Sequence, residues 1–294
     1  MLTRSRSLCS PVWGIARLFV QVIFSACELG VFDLLATSPC ALSAQQVAQA
    51  LRASVDGTER LLDALVGIEI LHVETQPQDG TALYRNTEVA SVYLAKGGAK
   101  SLHDLAIYQS QTTYPLWNNL ADVVRDGRNQ NQKTFGIPPE EVFQAIYRWV
   151  SEKMLKFMGL MNSFWVLDGH DVVTAFNLAG FQNVVDLGGC TGALAREMVK
   201  AYPSSSVTVF DMPAVVEMAA KHFLQENNTL KFQSGSQSLF FRSSTKYAPI
   251  TSYRVTILMT CTPSKYTRML QESGFRDVQL CRTGKYYDAI LALR

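Results

Sequence analysis

A chain of 294 residues that is 48% hydrophobic and 18% charged can bury a substantial core, and its length allows two domains. A net charge of +2 at pH 7 argues against a broad nucleic-acid-binding surface. Six scattered cysteines with no Cys-x-x-Cys pair suggest neither a zinc site nor a disulfide framework, so a reducing compartment is expected.

Residues 1–27 carry Arg4, Arg6 and Arg17 and no acid, the composition of a mitochondrial transit peptide. The apolar block Leu18 to Ala26 is interrupted by Gln21 and is too short to span a bilayer. The other reading is a helix in which Leu18, Val22, Cys27 and the run Leu29 to Leu35 bury themselves in their own domain or in a partner subunit. The helix is favoured, with a cytoplasmic location and no membrane partner; mitochondrial targeting is the alternative.

From Ser43 to Thr87 the pattern is helix, turn, helix, hairpin. Ser43 suits the N-cap of a helix over Ala44 to Arg52. Asp56 or Thr58 is expected to cap a second helix, Glu59 to Leu71, whose Leu61, Leu62, Leu65, Ile68 and Leu71 line one face. His72 to Thr75 and Ala82 to Arg85 flank the turn signal Pro77-Gln78-Asp79-Gly80. This is a winged-helix layout. A DNA-reading helix presents bases to phosphate, but here Glu59, Asp63 and Glu69 outnumber Arg60, so a dimerising role is expected and no nucleic-acid partner.

The middle third is helical. Ser101 to Gly127 reads as one long helix kinked or split at Pro115. Pro139 to Tyr147 has Glu140 and Glu141 in its first turn, where they suit the helix dipole. Lys153 to Val166 carries a stripe of methionines and aromatics that suits a core, a subunit contact or an apolar pocket wall.

Val184-Val185-Asp186-Leu187-Gly188-Gly189-Cys190-Thr191-Gly192 then reads as strand, glycine turn, helix start. Val184, Val185 and Leu187 suit a parallel strand buried on both faces. Gly188 and Gly189 let the backbone approach a ligand closely. A dinucleotide fingerprint places pyrophosphate over the helix N-terminus, and Asp186 beside that phosphate would repel it. An acid at this point suits a ligand with a positive end, such as the amino group and sulfonium of S-adenosylmethionine. The next apolar run, Val207 to Phe210, ends in Asp211, where a second carboxylate would meet ribose hydroxyls.

Several stretches together resemble the acetylserotonin O-methyltransferase family: Glu28-Leu29-Gly30-Val31-Phe32-Asp33-Leu34-Leu35, Tyr84-Arg85-Asn86-Thr87-Glu88, Asp186-Leu187-Gly188-Gly189, Val209-Phe210-Asp211-Met212-Pro213 and Gly274-Phe275-Arg276-Asp277. The resemblance covers about residues 18–235 and 266–294. It implies an α/β protein with a mostly helical winged-helix dimerisation domain, a Rossmann-like methyltransferase domain that uses S-adenosylmethionine, and a homodimer. The implied reaction is methyl transfer to the hydroxyl of N-acetylserotonin, giving melatonin. On this reading residues 1–17 are divergent, 18–100 form the dimerisation domain, 101–170 supply linker and pocket helices, and 171–294 bind the cofactor. Matched by position, the cofactor is expected against Tyr147, Trp165, Gly188, Asp211 and Gly235, with Asp186 read from its own chemistry; no metal is expected.

The departure lies after Gly235. There the family carries a Leu-His-Asp-Trp motif whose histidine deprotonates the substrate, whereas this chain reads Ser236-Gln237-Ser238-Leu239-Phe240-Phe241 and has no histidine after His222. His72, His103 and His170 do not match that position, so no catalytic residue is assigned. Only about 40 residues separate Gly235 from Phe275, too few for the strands and helices of a complete doubly wound sheet. An incomplete sheet is expected, with residues 236–265 atypical and Tyr253 to Met259 available as one replacement strand.

Overall fold

The computed structural model describes residues 12–138, 152–223, 230–235, 254–255, 263–285 and 287–293. The chain forms two units, Met1–Val142 and Phe143–Arg294.

The first unit opens with helices α1 (Val12–Leu29) and α2 (Val31–Thr37), bent by 60° at Gly30, which takes φ 80°. Phe24, Ala26, Cys27, Val31, Phe32 and Leu35 all enter one core with Val47, Leu62, Leu65, Leu71 and Tyr84. The expected burial of the N-terminal segment is met only in part within this unit: Cys27, Val31, Phe32 and Leu35 are buried and Val22 is half-buried, whereas Leu18 is 61% and Leu29 46% exposed. Among the described residues no single helix is long and apolar enough to cross a membrane.

Strand β1 (Leu42–Ser43) leads into α3 (Ala44–Leu51), where Ser43 and Gln46 form a reciprocal capping box. Helix α4 (Val55–Gly67) starts earlier than its sequence suggests. Ser54 is its cap, accepting from the Gly57 N–H at 3.4 Å, while Thr58 is buried at 5% exposure and Asp56 lies in the first turn. Strands β2 (Leu71–Thr75) and β3 (Ala82–Asn86) form the expected antiparallel hairpin, and β1 adds to β3 to give the order β1-β3-β2. Tyr84, 1% exposed, donates its hydroxyl to Asp63 at 2.7 Å, tying the hairpin to α4.

The long middle helix is in fact segmented. Helix α5 (His103–Tyr108) passes through a π turn, Gln109–Thr113, into α6 (Tyr114–Trp117), followed by α7 (Leu120–Asp126) and α8 (Asn131–Phe135). Pro115 has no N–H to donate and sits in the first turn of α6, so the irregular turn falls just before it. Tyr114 packs edge-on to Phe24 of α1, with ring centroids 5.2 Å apart.

In the second unit, α9 (Glu152–Val173) is followed by β4 (Asn183–Leu187), α10 (Ala193–Ala201), β5 (Ser206–Asp211), α11 (Pro213–His222) and β6 (Lys231–Ser234). The three strands are parallel in the order β4-β5-β6, with Asp186 beside Val209 and Asp211 beside Ser234. Val207 and Val209 are fully buried and pack with Val173, Leu178, Ala195 and Met198.

Then come β7 (Arg254–Val255), α12 (Pro263–Glu272), β8 (Arg276–Cys281) and β9 (Ala289–Leu293), whose strands pair antiparallel in the order β7-β9-β8. The described strands of this unit fall into two three-stranded sheets, and most of residues 236–262, where the sheet is expected to be incomplete, lies outside the described residues. Of the proposed replacement strand, only Arg254 and Val255 lie within the described residues. One expectation fails. Val185 and Leu187 are 62% and 50% exposed, because only the sheet face that carries Val184 and Asp186 is covered among the described residues.

Candidate functional site

The turn after β4 is built by three constraints. Gly188 takes φ 75° and donates its N–H to the Phe210 carbonyl at 2.8 Å, stitching the end of β4 to β5. At Gly189 an added Cβ would stand 2.5 Å from Asp186 Oδ2 and 2.9 Å from Val209 Cγ1, so no side chain fits. Gly192, at φ 72°, starts α10 against Phe232 and Leu230. Between them Cys190 takes φ 52° and donates its N–H to Asp211 Oδ2 at 2.8 Å.

Asp211 ends β5 at 6% exposure. Its Oδ1 accepts from the Met212 N–H at 2.7 Å and its backbone carbonyl accepts from the Gly235 N–H at 3.1 Å. Gly188, Asp211 and Gly235 therefore converge at the carboxyl ends of three parallel strands, where open α/β sheets bind ligands. Asp186 stands next to them. Its Oδ2 is buried and has no hydrogen-bond partner.

The electrostatics are those of two acids in one dry corner. Burial, reinforced by the charge of Asp211, pushes the Asp186 carboxyl up to about 6. Burial also raises Asp211, against the two backbone N–H groups that favour its charged form. The Cys190 thiol is pushed up to about 12 by burial and by Asp211, so it stays protonated and is no nucleophile. Among the described residues neither acid has a salt-bridge partner, and no group of His, Cys, Asp and Glu could hold a metal.

Helix α9 runs beside this corner. Met154 and Met158 pack with Val215 and Ala219 of α11, and Cys190 and Met212 join that cluster. Asn162 reaches the turn directly, accepting from the Thr191 hydroxyl at 3.2 Å. Trp165, three residues on and so on the same side of the helix, is half-buried and stacks on Tyr287 with centroids 4.6 Å apart. Tyr147 lies outside the described residues. Of the histidines, His170 and His222 are exposed at helix C-terminal ends, His72 is exposed on β2, and His103 is buried in the first unit with Nε2 3.2 Å from the Cys27 carbonyl.

Asn162, Arg196 and Tyr287 join the site without standing out in the sequence. Asn162 is a polar interruption of the methionine and aromatic stripe, and Arg196 is a cation in the first turns of a helix; both are weak local signals. Tyr287 offers no local signal, since its partner is distant in the chain.

Two family models match the chain, an O-methyltransferase dimerisation domain over residues 16–96 and an O-methyltransferase domain over residues 117–253. Acetylserotonin O-methyltransferase of Homo sapiens is 39% identical over 327 aligned positions, covering 92% of this chain and 93% of that protein. The chain belongs to the acetylserotonin O-methyltransferase family. A second human relative, a probable bifunctional dTTP/UTP pyrophosphatase/methyltransferase protein, is 41% identical over 201 positions, covering 68% of this chain and 31% of that protein. The crystal structure of human N-acetylserotonin methyltransferase in complex with SAM superposes with a TM-score of 0.86 at 37% identity, covering 96% of each chain. This chain is shorter than human acetylserotonin O-methyltransferase within the region the two share. Since 92% of 294 residues is about 270, about 57 of the 327 aligned positions face no residue of this chain.

Proposed function

We propose that the second unit binds S-adenosylmethionine over the turn Gly188 to Gly192 and that the acceptor of its methyl group is the hydroxyl of N-acetylserotonin. The observation that carries the proposal is Asp186, a buried carboxyl with a partnerless oxygen beside the glycine turn and 25 residues before Asp211. A pyrophosphate would be repelled by this pair; a ligand ending in an ammonium and a sulfonium relieves it. The solved complex of the human relative with SAM supports the choice.

When bound, S-adenosylmethionine supplies an electrophilic methyl group on sulfur. The chain's own residues have separate tasks. Asp186 in its charged form pairs with the ammonium, Asp211 accepts from the ribose hydroxyls, Gly188 and Gly189 allow the backbone to approach, and Trp165 offers an aromatic face to the cation. Gly235, just after the end of β6, joins the pocket, and Tyr147, which lies outside the described residues, is assigned to the cofactor by the family resemblance alone.

The acceptor side is weaker. An indole hydroxyl attacks well only as it loses its proton, and a positioned base contributes typically ~10²–10⁴ in rate. No histidine follows His222 in this chain, so turnover is expected to fall by that factor below a family member that has the base. Holding acceptor and sulfonium together leaves a residual rate. A second reading has its own support. The absent histidine, the roughly 57 missing aligned positions and the matched dimerisation model also describe an inactive subunit that binds cofactor and acts through a complete partner. We place the missing positions between Gly235 and Phe275, and the protein in the cytosol as a homodimer.

Transfer of a labelled methyl group from S-adenosylmethionine to N-acetylserotonin, measured on purified chain alone and mixed with the human enzyme, tests these readings. Slow but saturable transfer by the chain alone supports the first. No transfer alone, with altered turnover of the mixture, supports the second. Full-rate transfer by the chain alone would contradict the role given to the missing base.

A further inference from the structure

Arg196 occupies a costly position. It lies in the first turns of α10, where a cation faces the positive end of the helix dipole, and its guanidinium is partly buried, which lowers its pKa. Among the described residues no carboxylate pairs with it. Its partners are neutral oxygens: Nη1 donates to the Thr191 carbonyl at 2.9 Å, and Nη2 donates to Asn162 Oδ1 at 3.0 Å. The Thr191 hydroxyl donates to the same Asn162 oxygen at 3.2 Å. Three hydrogen bonds thus close a ring through the glycine turn, α9 and α10, around a threonine that is 1% exposed. A lysine could not replace this fork, because its ammonium is a point donor while the guanidinium spans two acceptors in a fixed plane.

We propose that Arg196 is a positioning residue that locks the glycine turn onto α9, so that the turn holds its ligand-receiving shape before any ligand arrives. The ligand half of this statement rests on reading the turn as the S-adenosylmethionine site. Preorganisation of this kind strengthens binding by removing the ordering that the ligand would otherwise impose.

The test compares full-length wild type, Arg196→Met, Arg196→Lys, Asn162→Ala and the Arg196→Met/Asn162→Ala pair. Hydrogen exchange of the ligand-free proteins reads the lock, and titration with S-adenosylmethionine reads its consequence. In Arg196→Met and Asn162→Ala the amides of residues 188–194 are expected to exchange about tenfold faster, with Arg196→Lys restoring only part of the protection. The amides of Val207 and Val209 keep wild-type rates, which a general loss of stability would not allow. Affinity for S-adenosylmethionine falls about tenfold in each single variant, and the pair is no weaker than either, because both members break one ring. Should Arg196→Met fail to fold, Asn162→Ala reads the same ring from the other side. Unchanged exchange over 188–194, or losses in affinity that add, would overturn the lock. Faster turn exchange in a chain whose wild type takes no S-adenosylmethionine upholds the lock and removes the reading of the ligand.

Discussion

Replacing Asp186 by asparagine is expected to stabilise the protein while weakening its affinity for cofactor. The Asp186 carboxyl is raised from 3.8 to about 6 by burial and by Asp211. For an acid, a raised folded value means that the native state holds its proton more tightly than the unfolded chain. The stabilisation is therefore complete below about pH 4 and is lost as pH climbs through about 6. A shift of roughly two units corresponds to ~3 kcal/mol of stability forgone at neutral pH. Asp186→Asn removes the charge but keeps a buried polar group, so the expected gain is ~1–3 kcal/mol at pH 7 and close to zero at pH 4. Asp211 is raised in the same direction by its own burial, a contribution common to wild type and variant. Urea unfolding of wild type and Asp186→Asn at several pH values measures the gain, with a parallel S-adenosylmethionine titration. Wild-type affinity should weaken as pH falls below about 6, and the variant should bind weakly at every pH. A variant less stable than wild type at pH 7, or one that binds cofactor normally, would refute the claim that a buried charge is kept there for the ligand.

Other substitutions separate the site from its scaffold. Gly189→Ala places a methyl group 2.5 Å from Asp186 Oδ2 and should weaken S-adenosylmethionine binding at least about tenfold, read by calorimetric titration. Tyr287→Leu removes the ring stacked on Trp165, an aromatic pairing worth ~0.5–1.5 kcal/mol, and should change tryptophan fluorescence together with cofactor affinity. Leu62→Ala opens a cavity in the first unit at a residue that is 0% exposed and should destabilise that unit by ~2–5 kcal/mol in thermal unfolding. Ser43→Ala breaks the capping box of α3 for a smaller loss of ~1 kcal/mol by the same measurement.

The parts of the site that are legible in the sequence are those carried by local pattern. Asp186, Gly188 and Gly192 stand within one strand-turn-helix signature, and Asp211 repeats it at the end of the next strand. The hairpin is legible for the same reason, since Asp79 and Gly80 suit a turn whose Asp79 carboxylate accepts from the Thr81 N–H at 3.0 Å. The start of α4 is not legible, because three polar residues compete for the cap and only packing shows that Thr58 faces the core while Ser54 remains outside. The exposure of Val185 and Leu187 has no local signal at all. An apolar strand reads as doubly buried whether or not a layer packs on each of its faces, and among the described residues only one face of β4 is covered. Arg196 and Asn162 are 34 residues apart and meet only because α9 passes alongside the turn. Such contacts are properties of the tertiary arrangement.

The acid pair at the glycine turn is the feature on which the cofactor reading depends, and its ligand preference is the most direct test. Calorimetric titration of the full chain at pH 7.5 with S-adenosylmethionine and, separately, with NAD should give saturable binding of S-adenosylmethionine that Asp211→Ala abolishes, and no binding of NAD. Saturable NAD binding with none of S-adenosylmethionine would contradict it, because a carboxylate pair that tolerates pyrophosphate and ignores a cation is not a pair of buried acids kept for a positive ligand.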